Sequence, residues 1–313
     1  MTRFFFASDF HGSQMVWNKF LRAPEHLGVD TLICGGDITG KMIVPLIAQG
    51  NGAYTYFLYG RVERIKEDQL GVAESRISGS GYYPYRTTPE EVAELERNEP
   101  ARTQLFVRLM KERVARWIEQ ATERLPERVA IYMMPGNDDA WAIDEVFARQ
   151  GRVIFAEGKL VPIGDSFEMI TFAGVNPTPW DSPREISEER LESMMERLFA
   201  QATNPSRLIA NLHAPPFHSG LDMAPALDKN LRPITGILGV KRAPIGSKAV
   251  RNLIEKYQPL LGLHGHVHES PGKAKLGRTI CVNPGSEYAE GVLRGFVIEL
   301  DRAGVKDIRM VYK

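Results

Sequence analysis

The chain has 313 residues, of which 43% are hydrophobic and 25% charged, as is usual for a globular protein with a sizeable core. Lysine plus arginine equals aspartate plus glutamate, so the formal net charge is zero. This balance provides no general attraction to an anionic surface. We therefore expect no membrane partner, and the composition disfavours nucleic acid as a partner.

The two cysteines lie in apolar stretches, Cys34 in TLICGGD and Cys281 in RTICVNPGS. Two such residues in a chain of this size are typical of small core side chains and not of a disulfide framework. The first residues, MTRFFFASDFHG, contain too short an apolar run for a secretory signal, and no run reaches membrane-spanning length. We expect a cytoplasmic protein.

Five apolar, strand-like stretches each end in a turn rich in Asp, His, Asn or Gly: RFFFASDFHGS, DTLICGGDITG, VAIYMMPGNDD, LIANLHAPP and PLLGLHGHVHE. A helical pattern after Ser13 ends at Gly28, and another after Ser247 ends before Pro259. Strands that alternate with helices predict an α/β fold. Functional groups of such folds gather at the carboxyl ends of the strands, so we expect the five turns to meet at one edge.

The stretch between Asp37 and Asn137 is much longer than one crossover needs. We interpret residues 41–126 as an insertion within a single domain that spans residues 1–313. The insertion contains the strand-like GAYTYFLYGRVERI, the loop-like SGSGYYPYRTTP, and a long helix whose capping box begins at Thr88. Residues 59–86 are a candidate substrate lid. An insertion that only supports the structure or forms a homo-oligomer is an equally open alternative.

The final stretch, RGFVIELDRAGVKDIRMVYK, predicts two strands joined at DRAG, which is a plausible sheet edge.

The turns carry side chains that can bind a cation. In both SDFHG and GHVH, two donors are two residues apart and so point to the same side of a strand end. Carboxylates mixed with imidazoles suit Mn²⁺, Fe or Zn²⁺ better than Ca²⁺ or Mg²⁺. Seven ligands are too many for one ion and about right for two that share a carboxylate. The seven are Asp9, His11, Asp37, Asn137, His213, His266 and His268.

These turns resemble, in the same order, the motifs of the calcineurin-like metallophosphoesterase family: D-x-H, G-D, G-N-H-(D/E), a later H, and G-H-x-H. Here they read SDFHG, GGDITG, PGNDD, NLHAPP and HGHVHE, and VNPGS at 282–286 resembles a closing strand and turn of such domains. The resemblance implies a four-layer αββα sandwich of two mixed sheets.

The resemblance also implies two divalent metal ions bridged by Asp37, with Mn²⁺ favoured and Fe, Zn²⁺ or Ni²⁺ as alternatives. Of the other ligands, one ion would be held by Asp9, His11 and His268, and the second by Asn137, His213 and His266.

A metal pair of this kind binds phosphoryl oxygens and lowers the pKa of a bridging water, so that hydroxide attacks phosphorus without a side-chain nucleophile. The sequence shows no persuasive Ser-His-Asp or Cys-His set and no G-x-x-x-x-G-K-[ST] motif. We therefore expect a metal-dependent phosphoric ester hydrolase that acts on a small-molecule or nucleotide-like ester. The alternatives are a phosphomonoesterase or protein phosphatase, and a non-catalytic protein-interaction scaffold of the same fold.

Asp138 occupies the position where the resembled family has a histidine that assists the leaving oxygen. A carboxylate beside two dications would be ionised and would repel a dianionic monoester more than a monoanionic diester. We therefore predict a preference for phosphodiesters, as in some family branches that lack this histidine.

Two assignments of the catalytic groups stay open. Either Asn137 and Asp138 act at the turn itself, or His264 or His218 supplies the missing imidazole. We assign Asn176, at the end of MITFAGVN, to substrate binding. Asp139 is predicted to be structural, as a cap of the helix that follows it.

Overall fold

The computed structural model describes residues 1–148, 151–237 and 239–313, and its seven helices and 20 strands within these ranges form a mixed α/β fold. The helices are α1 (Gln14–Leu27), α2 (Leu70–Gly79), α3 (Pro89–Arg97), α4 (Glu99–Arg124), α5 (Asp144–Phe147), α6 (Glu188–Phe199) and α7 (Lys248–Tyr257). The strands are β1 (Thr2–Ala7), β2 (Thr31–Cys34), β3 (Ile43–Ala48), β4 (Ala53–Leu58), β5 (Arg61–Lys66), β6 (Tyr83–Thr87), β7 (Ala130–Met133), β8 (Ile154–Phe155), β9 (Leu160–Ile163), β10 (Phe167–Phe172), β11 (Leu208–Leu212), β12 (Met223–Pro225), β13 (Thr235–Gly236), β14 (Gly239–Val240), β15 (Arg242–Pro244), β16 (Leu261–Leu263), β17 (Gly272–Leu276), β18 (Thr279–Asn283), β19 (Arg294–Asp301) and β20 (Gly304–Tyr312).

Two six-stranded sheets form the frame of the fold. The first has the order β20-β19-β1-β2-β7-β8, and the second has the order β17-β18-β16-β11-β10-β9. The strands β1, β2, β7 and β8 are parallel, and so are β10, β11, β16 and β18. Antiparallel pairs with β19, β20, β9 and β17 complete the sheets. The prediction of an α/β fold with mixed sheets is confirmed, and so is the terminal hairpin.

Alternation along β1 connects the layers of the core. Phe5 packs with α1 and α4 in one apolar cluster, where Trp17 and Trp117 stack with ring centroids 4.7 Å apart. Phe4 and Phe6 belong to a second cluster, which they share with side chains of β10 and β16 in the other sheet. A third cluster packs α6 and α7 against the second sheet. Successive side chains of a strand face opposite sides, so β1 contributes to both of the cores that it separates.

The boundaries predicted for the helices after Ser13 and Ser247 are correct. The Ser13 hydroxyl accepts a hydrogen bond from the N–H of Val16 at the start of α1, and Gly28 ends this helix with a φ of 64°. Helix α7 begins after Ser247 and ends at Gln258, before the predicted proline. Cys34 and Cys281 are both free and buried, as predicted.

The region 41–126 consists of two parts that pack differently. Strands β3 to β6 form a four-stranded sheet of order β5-β4-β3-β6, which shares a small apolar cluster with α2. Helix α4 instead contributes Met110, Val114, Trp117 and Ala121 to the cluster under the first sheet. The boundaries of the insertion stay a prediction, but α4 is part of the main core.

Two predictions for this region are wrong. The single helix expected after Thr88 is divided into α3 and α4, because Asn98 leaves the helical conformation and caps α4, which has Pro100 in its first turn. The loop expected at SGSGYYPYRTTP contains β6, which pairs in parallel with β3. Within the described ranges, no helix combines the length and the apolar character that crossing a membrane requires.

We predict that Trp117→Ala lowers the free energy of unfolding by about 3–5 kcal/mol, because it leaves a cavity next to Trp17. The matched control is Phe57→Ala on β4, where the ring is 58% exposed and its removal should have little effect. Urea denaturation of both variants measures the difference. Equal stabilities of the two variants would contradict the placement of α4 in the main core.

Candidate metal centre

All five predicted turns meet at the carboxyl ends of the parallel strands. The turns after β1 and β2 are joined by hydrogen bonds from the Asp9 N–H to the Gly36 carbonyl and from the His11 N–H to the Asp37 carbonyl. The backbone N–H of His266, after β16, donates to Asp9 Oδ1 over 3.0 Å. The convergence predicted from the sequence is therefore observed.

Four of the predicted ligands form one compact group, Asp9, His11, Asp37 and His268. One ligand atom from each lies within 4.8 Å of the others, so that they could hold a metal ion. His268 Nε2 is 3.0 Å from His11 Nε2 and 3.3 Å from Asp9 Oδ1. These are the same residues, Asp37 included, that the sequence resemblance assigns to one ion.

The remaining three predicted ligands, Asn137, His213 and His266, form a second group that adjoins Asp37 and Asp9. Asn137 Oδ1 is 2.7 Å from His266 Nδ1, and the rings of His213 and His266 have centroids 5.6 Å apart. Asp37 faces both groups, because its Oδ2 is 3.5 Å from His11 Nε2 and its Oδ1 is 3.4 Å from His213 Nε2.

The chemistry of these donors fits divalent cations. Among the described residues, four buried imidazole nitrogens have no hydrogen-bond partner: His11 Nδ1, His213 Nε2, His264 Nε2 and His266 Nε2. The other ring nitrogen of His213 is 2.9 Å from the carbonyl oxygen of Gly35, a contact that fixes the ring and leaves Nε2 directed at Asp37. Unpaired polar atoms inside a protein are costly, and a bound cation would satisfy His213 Nε2, which faces Asp37 Oδ1.

The buried carboxylates and imidazoles among the predicted ligands strongly stabilise each other's charged forms. Burial, which would lower the pKa of His213, is outweighed by the charge of Asp37, and the pKa rises to about 10. Burial, which would raise the pKa of Asp9, is outweighed by the hydrogen bond and charge of His268, and the pKa falls to about 2. The carboxylates thus attract positive charge, and a cation bound to His213 would replace a proton.

Four of the seven predicted ligands have left-handed backbone conformations: Asp9 (φ 60°), His11 (41°), Asp37 (48°) and His266 (67°). Such conformations cost residues other than glycine about 1–3 kcal/mol each and concentrate at functional sites. The surrounding hydrogen bonds therefore maintain a strained arrangement that packing alone does not require.

Asp139 connects two of the ligand-bearing turns. Its buried carboxylate accepts hydrogen bonds from the N–H groups of Ile38 (2.9 Å), Thr39 (2.8 Å) and Gly136 (2.8 Å), and from the Thr39 hydroxyl (2.6 Å). Asp139 is thus structural, as predicted. It does not cap the following helical turn, however, because that turn begins after Ala140.

A second set of contacts, missed at the sequence level, holds Asn137. The Asn137 Nδ2 donates to Ser182 Oγ over 2.9 Å, and the Ser182 hydroxyl donates to Glu185 Oε1 over 2.7 Å. The buried Arg184 donates from its backbone N–H to the Asn137 carbonyl and from Nε to the Asp139 carbonyl. The only sequence signal for these contacts was the proline-rich stretch at 176–183. This stretch predicts a rigid loop but does not identify the residue that the loop contacts.

Asp138 lies beside the ligands and contacts a lysine that sequence reasoning also missed. Lys41 Nζ is 2.5 Å from Asp138 Oδ2, and the Asp138 backbone N–H donates to Asp37 Oδ1 over 3.0 Å. In the chain alone, burial and the charge of Asp37 raise the pKa of Asp138 to about 6. Two bound dications are expected to lower the pKa of Asp138 instead, and this effect stays a prediction.

The structure places the other predicted site residues away from this cluster of contacts. His264 is fully buried, and its Nδ1 lies 2.9 Å and 3.0 Å from the carbonyl oxygens of Leu212 and Ala214. His218 is exposed. Asn176 donates to the Ile245 carbonyl over 3.1 Å, and its Oδ1 is buried without a hydrogen-bond partner. The Nε2 of His264 is buried without a hydrogen-bond partner. The catalytic role of His264 and the role of Asn176 in substrate binding both stay predictions.

Comparison with known proteins supports the fold. No protein-family model matches the chain. An uncharacterized protein of Methanocaldococcus jannaschii, MJ1162, is 29% identical over 170 residues, which cover 53% of this chain and 68% of the relative. The crystal structure of TT1561 from Thermus thermophilus is similar over 99% of this chain and 98% of that chain, with a TM-score of 0.55 and 15% identity. This likeness shows a shared fold and does not identify an activity.

A structure described as a novel archaeal phosphodiesterase has a TM-score of 0.36 and 11% identity, values too low to carry an argument.

We predict that Ser182→Ala weakens the binding of one metal ion by roughly 10- to 100-fold, because the Asn137 Nδ2 loses one of its two acceptors and keeps only Asp138 Oδ1. Calorimetric titration with Mn²⁺ measures the change. The control is Ser166→Ala, in the exposed turn between β9 and β10, which should bind Mn²⁺ like the unaltered chain. Identical affinities in both variants would rule out this role for Ser182.

Proposed function

We propose that this protein is a metal-dependent phosphoesterase that hydrolyses phosphodiesters at a site for two divalent cations. The observation that carries the proposal is the position of Asp37, whose two carboxylate oxygens face different histidines, His11 and His213. A carboxylate between two groups of ligands is the arrangement that a shared pair of ions needs. Mn²⁺ is the favoured metal, because carboxylate, amide and imidazole ligands occur together.

In this proposal the ligands divide into two sets that share Asp37. Asp9, His11 and His268 complete the set for one ion, and Asn137, His213 and His266 complete the set for the other. When bound, a metal pair neutralises phosphoryl charge and lowers the pKa of a water, which supplies hydroxide at neutral pH. The protein holds its ligands in place through the Asp139 and Ser182 contacts, so little reorganisation is needed when the substrate binds.

The preference for diesters follows from the charge at position 138. The Asp138 carboxylate is 22% exposed in its side chain and adjoins the proposed ligands. An ionised carboxylate there opposes a second negative charge on the phosphate, which a monoester carries and a diester lacks. Lys41 offsets part of this repulsion, so we expect selectivity for diesters and not absolute specificity.

The proposal includes the layered fold that the sequence resemblance implies. The three apolar clusters, two between helices and a sheet and one between the sheets, support a four-layer αββα sandwich. The four-stranded sheet of β3 to β6 supports an inserted segment near the site. A non-catalytic scaffold would have no physical need for several buried ligands with strained backbones, so we place this alternative second.

We predict that the Mn²⁺-loaded protein binds two ions per chain and hydrolyses bis(p-nitrophenyl) phosphate with a higher kcat/KM than p-nitrophenyl phosphate. Elemental analysis and steady-state kinetics test the two parts separately. Fewer than one ion per chain would favour the scaffold, and preferential turnover of the monoester would favour a phosphomonoesterase.

We predict that Asp37→Asn removes at least one ion per chain and lowers kcat/KM by about 100-fold or more, because the variant cannot bridge the ions with a carboxylate. The matched control is Asp165→Asn, at an exposed aspartate in the turn between β9 and β10. Metal content after gel filtration and the rate of diester hydrolysis are the measurements. Unchanged metal content in Asp37→Asn would show that Asp37 is not a bridging ligand.

A further inference from the structure

Lys41 is a cation beside the proposed metal ligands, and the proposed function uses it only as a charge that offsets part of the repulsion from Asp138. Its ammonium contacts Asp138, and its side chain is 46% exposed. The residue that Lys41 contacts, Asp138, follows the proposed ligand Asn137 and donates from its backbone N–H to Asp37 Oδ1 over 3.0 Å. The ammonium is therefore close to the ligand cluster and does not belong to a remote surface ion pair.

The backbone that carries Lys41 is held by close contacts. A Cβ atom on Gly40 would lie 1.9 Å from the carbonyl oxygen of Gly81, and one on Gly12 would lie 2.8 Å from the Gly40 nitrogen. The Gly40 N–H donates to the Tyr83 hydroxyl over 2.8 Å. The turn that follows Asp37 thus packs against the beginning of β6 with no room for side chains, and this packing sets the position of Lys41.

An ammonium group is unfavourable next to two dications unless anions lie between them. Asp138 supplies one anion, but Lys41 has three N–H donors and the salt bridge does not enclose it. With two dications bound, the positive charge of the ions and Lys41 would exceed the negative charge of Asp9, Asp37 and Asp138, so that the partly exposed Lys41 would fit an anion that enters from solvent. In a phosphoesterase that anion is the phosphoryl group of the substrate.

We propose that Lys41 is a substrate-contacting residue that donates a hydrogen bond to a non-bridging phosphoryl oxygen, and that Asp138 is the positioning residue that orients Lys41. This inference rests on the proposed function and deepens it, because it assigns a residue to binding of the phosphate. It also gives Asp138 a role other than proton donation. Asp138 and Lys41 place a negative and a positive charge side by side at the position where the calcineurin-like metallophosphoesterase family has one histidine imidazole.

The test uses Lys41→Gln, which keeps the chain length approximately and removes the charge, and Lys41→Arg, which keeps the charge. The control is Lys306→Gln. Lys306 also lies near a carboxylate, Glu299 at 3.8 Å, but it is on β20 at the level of the start of β1, at the opposite end of the sheet from the ligands. Metal content and melting temperature establish that each variant is folded and loaded.

We expect Lys41→Gln to weaken the binding of inorganic phosphate to the Mn²⁺-loaded protein by roughly 10- to 100-fold. The same substitution should raise the KM for bis(p-nitrophenyl) phosphate. Lys41→Arg should restore most of the affinity, and Lys306→Gln should match the unaltered chain. Asp138→Asn should give a smaller loss than Lys41→Gln, because the cation remains but is no longer oriented.

The outcomes separate this inference from the function on which it rests. Unchanged phosphate affinity in Lys41→Gln, with diester hydrolysis intact in the unaltered chain, would overturn the inference and leave the proposed function standing. A chain that binds phosphate through Lys41 but hydrolyses no ester would overturn the proposed function and support the contact. Failure of the unaltered, Mn²⁺-loaded chain to bind phosphate would overturn both.

Discussion

The carboxylate of Asp139 is the contact on which the geometry of the site depends. It is fully buried and accepts four hydrogen bonds from the turns that follow β2 and β7, including the backbone N–H groups of Ile38, Thr39 and Gly136. These turns carry Asp37 and Asn137, which lie far apart in sequence. A buried charge is tolerated only when it is fully hydrogen-bonded, so the requirement to satisfy Asp139 keeps the two turns in one relative position.

Around this contact, the fold places groups that would be unfavourable in an ordinary core. Four proposed ligands have left-handed backbones, and four buried imidazole nitrogens of the described residues lack hydrogen-bond partners. The two mixed sheets provide a rigid frame, because β1 and β2 are covered by aromatic and aliphatic side chains. Stability supplied by the core thus offsets strain at the strand ends, as is common where a site must be arranged before its ligand binds.

Sequence patterns predicted the features that depend on local chemistry. The ends of α1 follow from Ser13 and Gly28, and the convergence of the turns follows from the rule that parallel strands share a carboxyl edge. The break at Asn98 was missed although its cause is local, the cap formed by Asn98 and the proline at position 100. The strand β6 was missed because it depends on pairing with β3, which is distant in sequence. Lys41 and Ser182 were missed for the same reason. No local pattern shows that a lysine will contact Asp138, or that a serine in a proline-rich loop will orient Asn137.

The most direct test of the account is anomalous diffraction at the manganese edge from crystals of this protein grown with Mn²⁺. We predict two anomalous peaks, one on each side of the Asp37 carboxylate. His11 and His268 should lie next to one peak, and His213 and His266 next to the other. A single peak bound to one group, or manganese located elsewhere on the molecule, would contradict the shared-carboxylate site and the hydrolytic function proposed from it.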